Sequence, residues 1–138
     1  MINRVVLMGR LISDPELKTT QSGVSVTRFR IAVDRSYQKQ GEERKADFFD
    51  VVAWRYTADF VCKYFRKGSL IAIDGQLQSR TYQAKDGSNR YVVEVIADNT
   101  SFTGEKPGQK NTQEEKSQEY EQGRIEEYET PYDDDLPF

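Results

Sequence analysis

The stretch FFDVVAWRYTADFVCKYFRKGSLIAIDGQLQSRTY, running from Phe48 to Tyr82, decides the fold, because its apolar period changes from two to 3.6 and back to two. Phe48–Arg55 is rich in aromatic and β-branched residues and reads as a strand. Phe48, Asp50, Val52 and Trp54 share one face, and Phe49, Val51 and Ala53 turn inward. Thr57 is placed to cap a helix in which Ala58, Val61, Cys62 and Phe65 recur at i, i+3, i+4 and i+7, with Gly68 as its stop. Lys63, Arg66 and Lys67 fall in its last turns, where cations complement the helix dipole. From Leu70 the alternation resumes, with Ile71, Ile73 and Leu77 inward and Gln76, Gln78, Arg80 and Tyr82 outward.

Outward from this segment the period stays at two. Ile2–Ile12 carries Val5, Leu7 and Leu11 on one face and Arg4, Met8 and Arg10 on the other, until Ser13-Asp14-Pro15 breaks it. After Gln21-Ser22-Gly23, the stretch Val24–Arg35 sets Thr27, Phe29, Ile31 and Val33 against Arg28, Arg30, Ala32 and Asp34. A polar loop, Gln38–Lys45, leads into the segment already described. On its far side Lys85–Asn89 forms a hairpin turn and Tyr91–Ala97 a last strand. Three strands, one helix and two strands in about 100 residues predict an all-β fold, a five-stranded oligonucleotide-binding (OB-fold) barrel with its helix between strands 3 and 4. Small barrels of other topology and a mixed α+β sheet would produce the same alternation.

The chain of 138 residues holds 20 Lys+Arg against 23 Asp+Glu, a formal net charge of −3, but the charge is unevenly distributed. Residues 1–104 contain 16 basic and 12 acidic residues, a net of +4, and residues 105–138 contain 4 and 11, a net of −7. Apolar residues fall from 44 of 104 in the body to 6 of 34 in the tail, too few for a packed core. The expected organisation is a folded domain over 1–104, a disordered linker over 105–132 and an acidic tip over 133–138. Cys62 is the single cysteine, which excludes an internal disulfide and a multi-cysteine metal site and fits a reducing compartment. With no histidine, imidazole-based acid–base and nucleophilic catalysis are excluded, as is an imidazole-ligated metal. Cys62 lies on the apolar face of the helix and reads as a small buried hydrophobe. Glu42-Glu43 sits in a polar loop and reads as solvated, and no G-x-x-x-x-G-K phosphate loop occurs. No enzyme activity, metal or cofactor is expected. No apolar run approaches the roughly 20 residues needed to span a bilayer, and the first residues do not begin a signal peptide. The expected location is cytoplasmic, with no membrane partner.

The outward aromatics Tyr37, Phe48, Trp54 and Tyr82 are candidates for stacking on nucleic-acid bases, which single strands accept without sequence preference when basic groups stand nearby. Phe48 and Trp54 would also suit a subunit interface, and Tyr37 and Tyr82 a plain amphipathic surface. Arg28 and Arg30 share one strand face, where phosphate pairing and simple solvation are both open. Lys63, Arg66 and Lys67 resemble a phosphate cradle, although the helix dipole also accounts for them. The tail ends in Asp133-Asp134-Asp135-Leu136-Pro137-Phe138. A merely solubilising tail does not need Leu136, Pro137 and Phe138. Three carboxylates before an apolar tip fit docking into an apolar pocket with a basic rim. A linker of this length reaches about 30 Å as a flexible chain.

Several segments together resemble the bacterial and phage-borne single-stranded DNA-binding proteins. They are Asn3-Arg4-Val5-Val6-Leu7-Met8-Gly9-Arg10-Leu11, Asp14-Pro15-Glu16, Tyr64-Phe65-Arg66-Lys67-Gly68-Ser69, Gly75-Gln76-Leu77 and Asp133–Phe138. The resemblance implies an OB-fold barrel assembled as a homotetramer, associated with the nucleoid, that binds single-stranded DNA in replication, recombination and repair. It implies base stacking at Tyr37, Phe48, Trp54 and Tyr82, phosphate neutralisation by Arg28, Arg30, Lys67 and Arg80, and recruitment of replication and repair enzymes by Asp133–Phe138. The chain departs from the family in carrying one tryptophan, with Tyr or Phe at other stacking positions, and in a short linker without long Gly-rich composition.

Overall fold

A computed structural model describes residues 1–37 and 39–105. In chain order its elements are β1 (Val5–Leu11), β2 (Glu16–Thr19), β3 (Ser25–Asp34), β4 (Ala46–Trp54), α1 (Arg55–Tyr64), β5 (Leu70–Gln83) and β6 (Asn89–Phe102). The sheet order is β1-β5-β6-β4-β3-β2, and β1 also pairs with β3. That extra pairing closes β1, β5, β6, β4 and β3 into a ring of five strands, the expected OB-fold barrel, and removes its open sheet edges. β4 and β6 run parallel, with Val51 opposite Val95 and Ala53 opposite Ala97, a pairing that needs a crossover. α1 and β5 supply it.

The inward faces follow the alternation. Leu11, Ile31, Val51, Ala53 and Ile71 are fully buried, Phe29, Ile73, Val95 and Ala97 nearly so, and Ala58, Val61 and Phe65 of the helical segment join the same core. Gly68 follows α1 with φ +86° and donates its N–H to the Leu11 carbonyl at 2.8 Å. The Leu11 N–H donates in turn to Ser69 O at 3.1 Å, which ties the helix exit to β1.

Four details depart from the sequence reading. The first strand ends at Leu11, before Ser13-Asp14-Pro15 as expected, but a further strand follows the break: Leu11 faces Ile31 of β3, and β2 pairs with the same partner with Glu16 opposite Arg28. β2 adds a sixth strand outside the ring, and the helix therefore lies between strands 4 and 5. All four β2 residues are exposed, so no apolar alternation marks it. Secondly, Thr57 is not the helix cap. α1 begins at Arg55 behind an extended Trp54 with no side-chain cap, and the Thr57 hydroxyl donates to Asp98 O at 3.4 Å. Thirdly, Leu77 is 44 % exposed, because β5 runs past its last β1 partner at Gly75 and every β5 residue from Gln76 to Gln83 is exposed, the far part of it in a two-stranded ribbon with β6. Fourthly, the outward Val52 is buried, for a reason given below.

The point where β5 leaves its β1 partner coincides with a bulge. Asp74 faces Asn99 and Gly75 faces Ala97, leaving Asp98 as the extra residue on β6. The strands approach so closely there that a Cβ on Gly75 would lie 2.0 Å from the Ile96 carbonyl oxygen. The expected linker over 105–132 and tip over 133–138 lie outside the described residues, apart from Glu105.

Candidate nucleic-acid interface

The outer faces of β3, β4, β5 and β6 border an open groove of about 520 Å³, in which Arg28, Arg30, Asp50, Arg80, Tyr82 and Glu94 supply most of the polar lining. Their placement follows from strand register. Arg30 faces Asp50 across the β3–β4 ladder, and its Nε and Nη2 donate to the two carboxylate oxygens at 2.7 and 3.1 Å. The sequence had put both residues on outward faces; pairing of the strands makes them neighbours.

Glu94 holds a second pair of cations. Arg28 Nη1 donates to Glu94 Oε2, and Arg80 Nε donates to Oε1 at 2.8 Å. The carboxylate is 7 % exposed, whereas the Arg28 and Arg80 side chains are 56 % and 44 % exposed. Arg28 lies on β3 and Glu94 on β6, with β4 between them, so their ion pair arches over β4. In the register Val52 stands between Arg28 and Ile96, beneath that arch. This explains the burial of an outward valine. Two carboxylates thus offset three guanidiniums, and the groove has a surplus of one positive charge.

The rings frame this surface. Phe48 and Trp54 lie at opposite ends of the outward row Phe48-Asp50-Val52-Trp54, about 20 Å apart along β4 at strand rise. Phe48 is half-buried opposite Ala32, and Trp54 is 41 % exposed opposite Val26. Tyr82 stands on the ribbon, with the Arg80 guanidinium carbon 5.3 Å from its ring centre, a cation–π distance. Tyr37 projects from the β3–β4 loop and is largely exposed. Lys67 does not line the groove. Its backbone N–H donates to Asp14 Oδ1 at 2.7 Å, which ties it to the turn beside Ser13 at the groove margin. The tip residues Asp133, Asp134, Asp135, Leu136, Pro137 and Phe138 lie outside the described residues.

The sequence reading missed the two carboxylates that organise the arginines. A signal for Glu94 existed: it is the one charged residue in the strand Tyr91–Ala97, on the outward parity. A second aromatic group also went unread, with partly buried Phe60 5.1 Å from exposed Tyr64 and 5.2 Å from exposed Phe102 between ring centres. Among the described residues, no three potential metal ligands form a cluster, and no helix is long and apolar enough to cross a membrane.

A closed barrel with a helix before its fourth ring strand, carrying rings and guanidiniums on one open outer face, defines an oligonucleotide-binding barrel protein. The chain belongs to the single-strand binding protein family, whose model matches residues 2–103. It is 45 % identical over 124 residues to single-stranded DNA-binding protein 1 of Staphylococcus aureus strain MSSA476, covering 90 % of this chain and 80 % of that one. It is also 48 % identical over 102 residues to the single-stranded DNA-binding protein of Bacillus cereus, covering 74 % and 60 % of the two chains. This membership puts the chain among binding proteins rather than enzymes.

Proposed function

We propose that this chain binds single-stranded DNA, as its relatives' names state of them, and that it does so without sequence preference and serves replication, recombination and repair. The observation that carries the reading is the gathering of Arg28, Arg30, Arg80 and Tyr82 in one open groove beside the Phe48–Trp54 row. Bases stack on Tyr37, Phe48, Trp54 and Tyr82, and Arg28, Arg30, Lys67 and Arg80 neutralise phosphates. The working form is a cytoplasmic, nucleoid-associated homotetramer of the body over 1–104. The linker over 105–132 carries the acidic tip Asp133–Phe138, which recruits DNA-processing enzymes.

Trp54 is the only tryptophan, so its fluorescence reports on one stacking position. The decisive experiment titrates the protein with an unstructured single strand and separately with duplex, at two salt concentrations. Strong quenching by the single strand alone, weakening with salt, is expected. No quenching, together with no binding by gel shift, would overturn the proposal and turn attention to protein assembly.

A further inference from the structure

Glu94 is an unusual residue to find in a groove that is to hold a polyanion. It is nearly buried, its two oxygens accept from two different arginines, and both of those arginines stay far more exposed than the carboxylate between them. The three residues come from β3, β5 and β6, so one side chain couples three strands across the groove. The chain of contacts continues to a ring, since the guanidinium held by Glu94 lies over Tyr82. An arginine tethered in this way loses fewer rotamers when it meets a phosphate, and its remaining N–H donors stay free to do so.

We infer that Glu94 is a positioning residue for single-strand binding: it orients Arg28 and Arg80 into the groove and, through Arg80, sets the Tyr82 ring. This rests on the groove being the DNA site. The carboxylate itself repels phosphate, so its contribution is made entirely through the arginines. Its second effect is to lower the groove's charge, which makes affinity depend more on stacking and less on counterion release.

The test uses the full chain, with anisotropy of a labelled oligothymidine followed over a range of salt. Glu94→Gln keeps the shape and removes the charge. Near 0.2 M salt it is expected to weaken binding about fivefold. Its log affinity should fall more steeply with log salt, by about 0.7, because one more uncompensated positive charge faces the strand. Glu94→Asp keeps the charge but shortens the reach, and should weaken binding at the parent's salt slope. Combining Glu94→Gln with Arg80→Gln should cost less than the product of the two single effects, because both changes break one linkage. A merely structural role would lower the melting temperature and leave the affinity of the folded, charge-conserving Glu94→Asp variant unchanged. Unchanged affinity in folded Glu94→Gln and Glu94→Asp, or strictly multiplicative effects, would overturn the inference while leaving the DNA groove standing. Absence of single-strand binding by the parent would overturn both.

Discussion

Arg55 opens α1 with φ at +54°, the left-handed region that side chains other than glycine enter at a cost of about 1–2 kcal/mol. The conformation turns the chain sharply between β4 and the helix and leaves Trp54 exposed at the corner. Arg55→Gly removes the strain but adds backbone entropy to the unfolded chain, so a net gain of about 0.5–1 kcal/mol is expected. A raised urea midpoint checks it; an unchanged or lowered one would show that the arginine side chain stabilises the corner. Trp54 is a stacking position of the proposed function. Trp54→Ala should weaken single-strand binding by about 1–3 kcal/mol, read by anisotropy of a labelled oligonucleotide, with little effect on folding because the ring is partly exposed. At this scale the sequence was legible wherever strand parity sufficed: Arg28, Arg30 and Trp54 are outward as expected. It was not legible for Val52, whose parity is outward and whose cover is an ion pair between strands distant in sequence.

The β5–β6 ribbon is the element that carries the barrel's surface outward, and its geometry rests on the bulge at Asp98. Gly75 has no positive φ; it is required by space, since its missing Cβ admits the Ile96 carbonyl. Gly75→Ala must push β5 and β6 apart just where β5 leaves its β1 partner. A loss of about 1–3 kcal/mol is expected, as for overpacked sites generally. Tyr82 and Arg80 lie beyond the bulge, so the same variant should also weaken single-strand binding under conditions where it remains folded. Denaturant titration and anisotropy on the one variant separate the two effects. At the ribbon's tip, Asp86 accepts from the Ser88 hydroxyl and N–H at 2.6 and 3.0 Å, and these bonds hold its carboxyl below the usual carboxylate range. The turn over Lys85–Asn89 was readable because its residue types dictate it. The exposure of Leu77 was not, because alternation tells which side a residue faces and not how far the core extends.

For the molecule as a whole, Glu105 marks where the described chain leaves the barrel. Arg10 donates to its two oxygens at 3.0 and 2.6 Å, and to Gly68 O at 3.0 Å, so the end of the domain is clasped to β1 and the helix exit. Arg10 holds the Glu105 carboxyl below its ordinary value, chiefly by hydrogen bonding. The clasp therefore stabilises the fold above the ordinary glutamate range and is lost as pH falls through the lowered folded value. Glu105→Gln should narrow the difference in urea midpoint between neutral pH and about pH 3, and parent and variant should converge at the acid end. An equal difference at all pH values would refute the assignment. The proposed division of labour has its own test: a chain ending at Glu105 should still bind single-stranded DNA and should lose capture of DNA-processing enzymes. Loss of DNA binding on truncation would count against it.

The residues alone determined the inward faces of the strands, the position of the helix, the charge contrast between 1–104 and 105–138, and the outward rings and arginines. Each of these is a local or compositional property, set by side-chain period, turn chemistry or the count of charges. Tertiary structure alone decided which strands meet. Closure of β1 on β3 joins residues some twenty positions apart, and the parallel pairing of β4 with β6 brings Val51 to Val95. From the β3–β4, β4–β6 and β5–β6 registers came the Arg28–Glu94–Arg80 linkage, the burial of Val52 and the bulge that Gly75 permits. Such contacts depend on strand register across long separations in sequence, which no periodicity within a single strand encodes.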